Sequence, residues 1–80
     1  MTVWKFPFAI DDAVVIAMPE GAELLNVGCQ EGQPCIWARV NPEAPYVNRM
    51  FHICGTGHPA PSTDHVATFQ QGPLVWHLFE

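Results

Sequence analysis

The sequence predicts an all-β fold, a small barrel or sandwich of six to seven short strands, on three observations. Eight prolines and six glycines punctuate 80 residues, a rhythm that suits short strands joined by turns and leaves little uninterrupted length for helices. Between these breaks, apolar residues recur with a period of two, the mark of a strand with one buried face. Finally, 49% of the residues are hydrophobic and 14% charged, well under the usual charged share of about 25%. One domain spanning 1–80 is expected, because a chain this short has material for only one core.

Taken in order, Trp4–Ile10 reads as a first strand with Trp4, Phe6, Phe8 and Ile10 on one face. Pro7 confines it to an edge or a bulge, since proline cannot donate to a ladder. Val14–Met18 is a β-branched second strand, followed by a tight turn at Pro19-Glu20-Gly21 with proline expected at its second position. Leu24–Cys29 is expected to turn Leu25, Val27 and Cys29 inward and Asn26 and Gly28 outward. After a turn at Gln30–Pro34, Cys35–Val40 places Ile36, Ala38 and Val40 on one face and Cys35, Trp37 and Arg39 on the other. Asn41–Pro45 is a loop. Arg49–Cys54 follows, with Phe51 and Ile53 opposite Met50, His52 and Cys54. The run GTGHPAPSTD, Gly55–Asp64, is a long loop, and Val66–Phe69 with Leu74–Phe79 form a closing hairpin.

The last strand is apolar on both faces: Leu74, Trp76 and Leu78 on one, Val75, His77 and Phe79 on the other. Only one face can be core in a domain this thin, so the other calls for a second layer or a second subunit. With the low charged fraction, this predicts a homo-oligomer.

Charge and composition exclude several functions. The net charge is −5, with Lys5, Arg39 and Arg49 the only cations, too few to neutralise the phosphates from which nucleic-acid binding draws its affinity. No apolar run approaches the roughly 18–20 residues of a membrane span, and the opening MTVWKFPFAIDD lacks the basic head of a signal peptide. A cytoplasmic protein with no nucleic-acid or membrane partner is expected. Cys29, Cys35 and Cys54 are an odd set without a secretion signal or zinc-site spacing, so free thiols filling strand positions are expected, with no disulfide and no metal. Catalysis has little support. Ser62 is the only serine and sits beside Pro61, outside any nucleophile elbow.

The distinctive local feature is Gly55-Thr56-Gly57-His58-Pro59. Its glycines permit left-handed backbone and converging amides, and Thr56 and His58 add side-chain donors. It lacks both the Walker and the dinucleotide patterns. A tight connection whose glycines serve geometry competes with a ligand-contacting loop, which its length favours. Arg39 and Arg49 offer planar forks for an anion, or else surface ion pairs with the acidic residues. Trp37 and Tyr46 offer stacking platforms, or else packing anchors. The candidate binding set is therefore Gly55, Thr56, Gly57, His58, Arg39, Arg49, Trp37 and Tyr46, directed at a small anionic or nucleotide-like ligand, with no cofactor.

The segments Met18-Pro19-Glu20-Gly21-Ala22, Pro34-Cys35-Ile36-Trp37-Ala38, Gly55-Thr56-Gly57-His58-Pro59 and Trp76-His77-Leu78-Phe79-Glu80 resemble the motifs of a family of short uncharacterised proteins from bacteriophages and bacterial genomes. The resemblance runs over nearly the whole chain and implies a phage or prophage setting, hence the cytoplasm of a bacterial host. By analogy with other small phage proteins, it implies sequestration of a host nucleotide-derived defence signal. The alternative is an interaction module that blocks a host protein through an exposed aromatic face.

Overall fold

A computed structural model describes all residues, 1–80, as seven strands with no helix: β1 (Thr2–Pro7), β2 (Ala13–Pro19), β3 (Glu23–Gln30), β4 (Gln33–Val40), β5 (Tyr46–Gly55), β6 (His65–Gln71) and β7 (Leu74–Phe79). They form two antiparallel sheets, β1-β4-β3 and β2-β5-β7-β6. The layers stack as a sandwich and do not close into a barrel, so β1, β3, β2 and β6 all remain edges. Pro7 ends edge strand β1 opposite Cys35, the position its missing N–H allows. No helix is long and apolar enough to cross a membrane.

The core lies between the layers. Ile36, Ala38 and Val40 of β4 are wholly buried, facing Met18, Phe51 and Leu78 of the four-stranded sheet. Period-two alternation groups Ile36, Ala38 and Val40 on one face of β4 and sets Phe51 with Ile53 on one face of β5, and those are the core faces. In β7, apolar on both faces, alternation leaves the buried side open, and it is Leu78's side that is buried. Phe8 and Phe69 close one side of this core edge to face, with centroids 5.9 Å apart. No buried polar side-chain atom lacks a partner. Only 15 of 80 residues are buried, so the core is thin and the outer faces carry apolar residues it has no room for.

Hairpins set the local register. β3 and β4 join through Glu31-Gly32, with φ of 52° and 79°, the double-positive turn whose twist matches that of paired strands. β6 and β7 join through the two-residue link Gly72-Pro73.

Four sequence expectations are corrected. The first strand runs Thr2–Pro7 and not Trp4–Ile10, because β4 begins at Gln33 and the pairing runs out at Pro7↔Cys35. A bulge between Leu24 and Asn26 shifts the pleat by one, so Leu25 is 47% exposed while Leu24 turns inward; an extra residue reverses the alternation beyond it. The amide of Ala22 donates to the Pro19 carbonyl at 3.1 Å, making Pro19 the first residue of its turn and not the second. β5 begins at Tyr46 rather than Arg49, because β2 continues pairing down to Pro19↔Tyr46. The three thiols are free, as expected: Cys35 is buried, Cys29 and Cys54 half-buried.

Candidate functional site

β2 pairs with β5 only from Tyr46 to His52, whereas β7 pairs with β5 from His52 to Gly55. The last stretch of β5 therefore has no strand on its outer edge. There the Ile53 amide donates to the Asp12 carbonyl at 3.1 Å, and the β1–β2 connection and the β5–β6 loop curl around the gap. The result is an open groove of about 760 Å³, floored by Ile53–Gly55 and Trp76 and walled by Asp11, Asp12 and His58–Thr63.

The Gly55–Pro59 segment forms one side of this groove. The His58 amide donates to the Gly55 carbonyl at 3.2 Å, closing a turn with Gly57 at φ 89°, the third position of a type II turn, where glycine is favoured. Gly55 serves a different purpose. A Cβ there would lie 3.3 Å from His58 Cδ2 and 3.4 Å from Trp76 Cζ3, so its bare Cα leaves room for the imidazole and the indole on either hand. Trp76 is fixed in turn by its Nε1–H, which donates to Gln71 Oε1 at 3.1 Å. On the other side of the turn lies a smaller groove of about 420 Å³, between Thr56, His58, Trp76 and the β6–β7 turn.

Of the eight candidate residues, the structure brings together the four of the turn. Thr56 Oγ1 bonds His77 Nε2 at 2.9 Å, towards the outer face of the sheet. Trp37 and Arg39 lie on the outer face of the other sheet, where Arg39 forms an ion pair with Glu23 across β4 and β3. Tyr46 opens the strand that Gly55 ends, roughly 30 Å away at about 3.3 Å per residue.

Arg49 points inward and holds Glu80, the residue after β7: Nε and Nη2 donate to the two side-chain carboxylate oxygens of Glu80 at 2.6 and 2.7 Å. Its Nη1 donates to the Ala22 carbonyl at 2.6 Å, and its guanidinium lies 5.8 Å from the Phe51 ring centroid. The hydrogen bond to Glu80 holds this guanidinium above its usual pKa against the opposing effect of burial. Both arginines thus take the ion-pair alternative, and one chain does not gather the eight residues into one pocket.

The third cation, Lys5, donates to Gln30 at 2.8 Å. No lysine or arginine lines either groove, while Asp11 and Asp12 stand on the wall of the larger one. The groove thus has the elements to hold a ring, a hydroxyl or an amine: an indole, imidazoles of His52 and His58, and the hydroxyls of Ser62 and Thr63. It has no fixed positive charge for a phosphate. Trp76, Asp11, Asp12 and His52 escaped the sequence reading because their meeting depends on β2 ending early against β5. The length of the loop was the one signal pointing there.

No grouping of histidine, cysteine and acidic residues has the arrangement of a metal site. No curated protein matches the chain, and no solved structure does. A family model described as a domain of unknown function, DUF7352, matches residues 1–80. The chain, over its whole length, belongs to the DUF7352 family.

Proposed function

We propose that the protein is a non-enzymatic binder of a small ring-bearing ligand, held in the groove beside Gly55–His58. The observation that carries this reading is the pair of rings, His58 and Trp76, that flank the bare Cα of Gly55, lining a groove of about 760 Å³. That volume falls in the range of about 300–1,000 Å³ of small-molecule sites. A glycine flanked by two rings at an opening leaves ring faces and edges for a planar ligand to pack against.

The charge pattern narrows the ligand. Lys5, Arg39 and Arg49 are each engaged elsewhere, and the groove wall is acidic, so recognition falls on the ring and its hydroxyls, with any phosphate left in solvent. A nucleobase or nucleoside portion meets this description. The resemblance to short phage and bacterial proteins supports a biological reading in which the domain sequesters a nucleotide-derived defence signal of the host cell, by its base more than by its phosphates.

The test is calorimetric titration of nucleosides alongside cyclic and ADP-ribose-type nucleotides. Nucleosides are expected to bind at least as tightly as their phosphorylated counterparts at low salt, and His58→Ala to weaken binding about tenfold, the scale of one lost hydrogen bond or ring contact. Heat from no member of the panel would overturn the reading and leave the interaction module as the better account.

A further inference from the structure

Strands β2, β5, β6 and β7 contain one charged residue between them, Arg49, and it is turned inward to Glu80. The outer face of this four-stranded sheet therefore carries no charge. In register, it presents Val15 opposite Met50, then His52 opposite Phe79 and Phe79 opposite His65. Val15 is 54% and Met50 52% exposed. Polar groups on its β6–β7 side bond one another: His77 Nδ1 meets Thr68 Oγ1 at 2.8 Å, and Thr68 Oγ1 meets His65 Nε2 at 3.0 Å. The His65 ring packs edge on against Phe79, with centroids 5.3 Å apart. The opposite sheet differs. Its outer face carries Lys5 and the Arg39–Glu23 pair.

We propose that this uncharged face is the contact surface for a second copy of the chain, the two four-stranded sheets packing back to back. Three observations select a second copy. The molecule carries a net charge of −5, so a like-charged copy is tolerated only where neither partner presents a charge, and this face meets that condition over its full width. An acidic or basic partner would leave its own charges unpaired against it. The area fits a small interface. The thirty residues of the four strands, at about 3.3 Å rise and about 4.8 Å spacing, cover roughly 480 Å² per copy, or about 950 Å² in all, the size of a weak or transient contact. Finally, the polar groups on the β6–β7 side, Thr68, His65 and His77, bond one another, so covering them leaves few donors unsatisfied there. The apolar Val75/His77/Phe79 face of β7 then finds the second layer it lacks within one chain.

Sedimentation of the wild-type chain at micromolar concentration is expected to give twice the 8.9 kDa chain mass. Met50→Lys places a charge in the middle of the face and is expected to weaken association at least tenfold, and Val15→Lys to act alike. Val3→Lys, on the opposite sheet, is expected to leave the dimer intact. Both face positions are exposed, so unchanged circular dichroism separates lost association from lost folding. Met50 lies on interior strand β5, so its effect distinguishes face packing from edge-to-edge pairing through β2. A monomeric wild type, or a dimer insensitive to Met50→Lys and Val15→Lys, would overturn the proposal. Mass is read without ligand, so this outcome is independent of the groove.

Discussion

Arg49 is where the structure and a ligand-binding role part most sharply, and its replacement by methionine is a quantitative test. The guanidinium makes a two-pronged pair with Glu80 and a third bond to the Ala22 carbonyl, tying β5, the segment after β7 and the β2–β3 turn together. The side chains of Arg49 and Glu80 are 22% and 29% exposed. This environment lies between an exposed pair, worth up to about 1 kcal/mol, and a buried one, whose breakage costs about 3–5 kcal/mol.

Arg49→Met keeps much of the aliphatic stem over Phe51 and removes the three donors, so a loss of about 2 kcal/mol is expected. At about 4–8 °C per kcal/mol for a domain of this size, the melting temperature should fall by roughly 10 °C. Glu80→Gln alone should cost about 1 kcal/mol. Measured by urea unfolding followed through tryptophan fluorescence, the double variant should lose less than the sum of the two, with a coupling of about 1–2 kcal/mol. Ligand binding should persist in the folded fraction, since Arg49 sits about 20 Å from Gly55 along β5 at about 3.3 Å per residue. Additive losses, or an unchanged midpoint with abolished binding, would refute the structural assignment and return Arg49 to the site.

Gly55→Ala sets a methyl group against His58 Cδ2 and Trp76 Cζ3; it should displace the imidazole and reduce ligand affinity several-fold while shifting the melting temperature by only a few degrees. Gly57→Val meets no atom within 4 Å, so its cost is the strain of a β-branched residue at φ 89°, about 1–2 kcal/mol. Its circular dichroism should remain that of the native sheet, and loss of the fold would show that the loop packs more tightly than described. Reduced and oxidised samples should melt at the same temperature, because all three cysteines are free thiols; a drop on adding reductant would contradict this.

The sequence by itself determined the strand-rich class, where the chain turns, and the core faces of β4 and β5. Alternation alone puts Ile36, Ala38 and Val40 on the face opposite Trp37 and Arg39, and proline and glycine fix where each run stops. It also left Arg39 and Arg49 poised between ion pair and ligand, because a guanidinium's partner is selected by which strand lies beside it. Only the tertiary structure decided that Glu23 and Glu80 occupy those positions. The bulge at Leu25 was illegible for a related reason: an extra residue is visible only against the partner strand that it fails to match. The groove depended on tertiary structure most of all. Its walls come from Asp11–Asp12, the 55–64 loop and Trp76, distant in the chain and joined where β2 stops short of the end of β5. Periodicity reports which way a side chain points relative to its own strand; it carries no information about where a neighbouring strand ends.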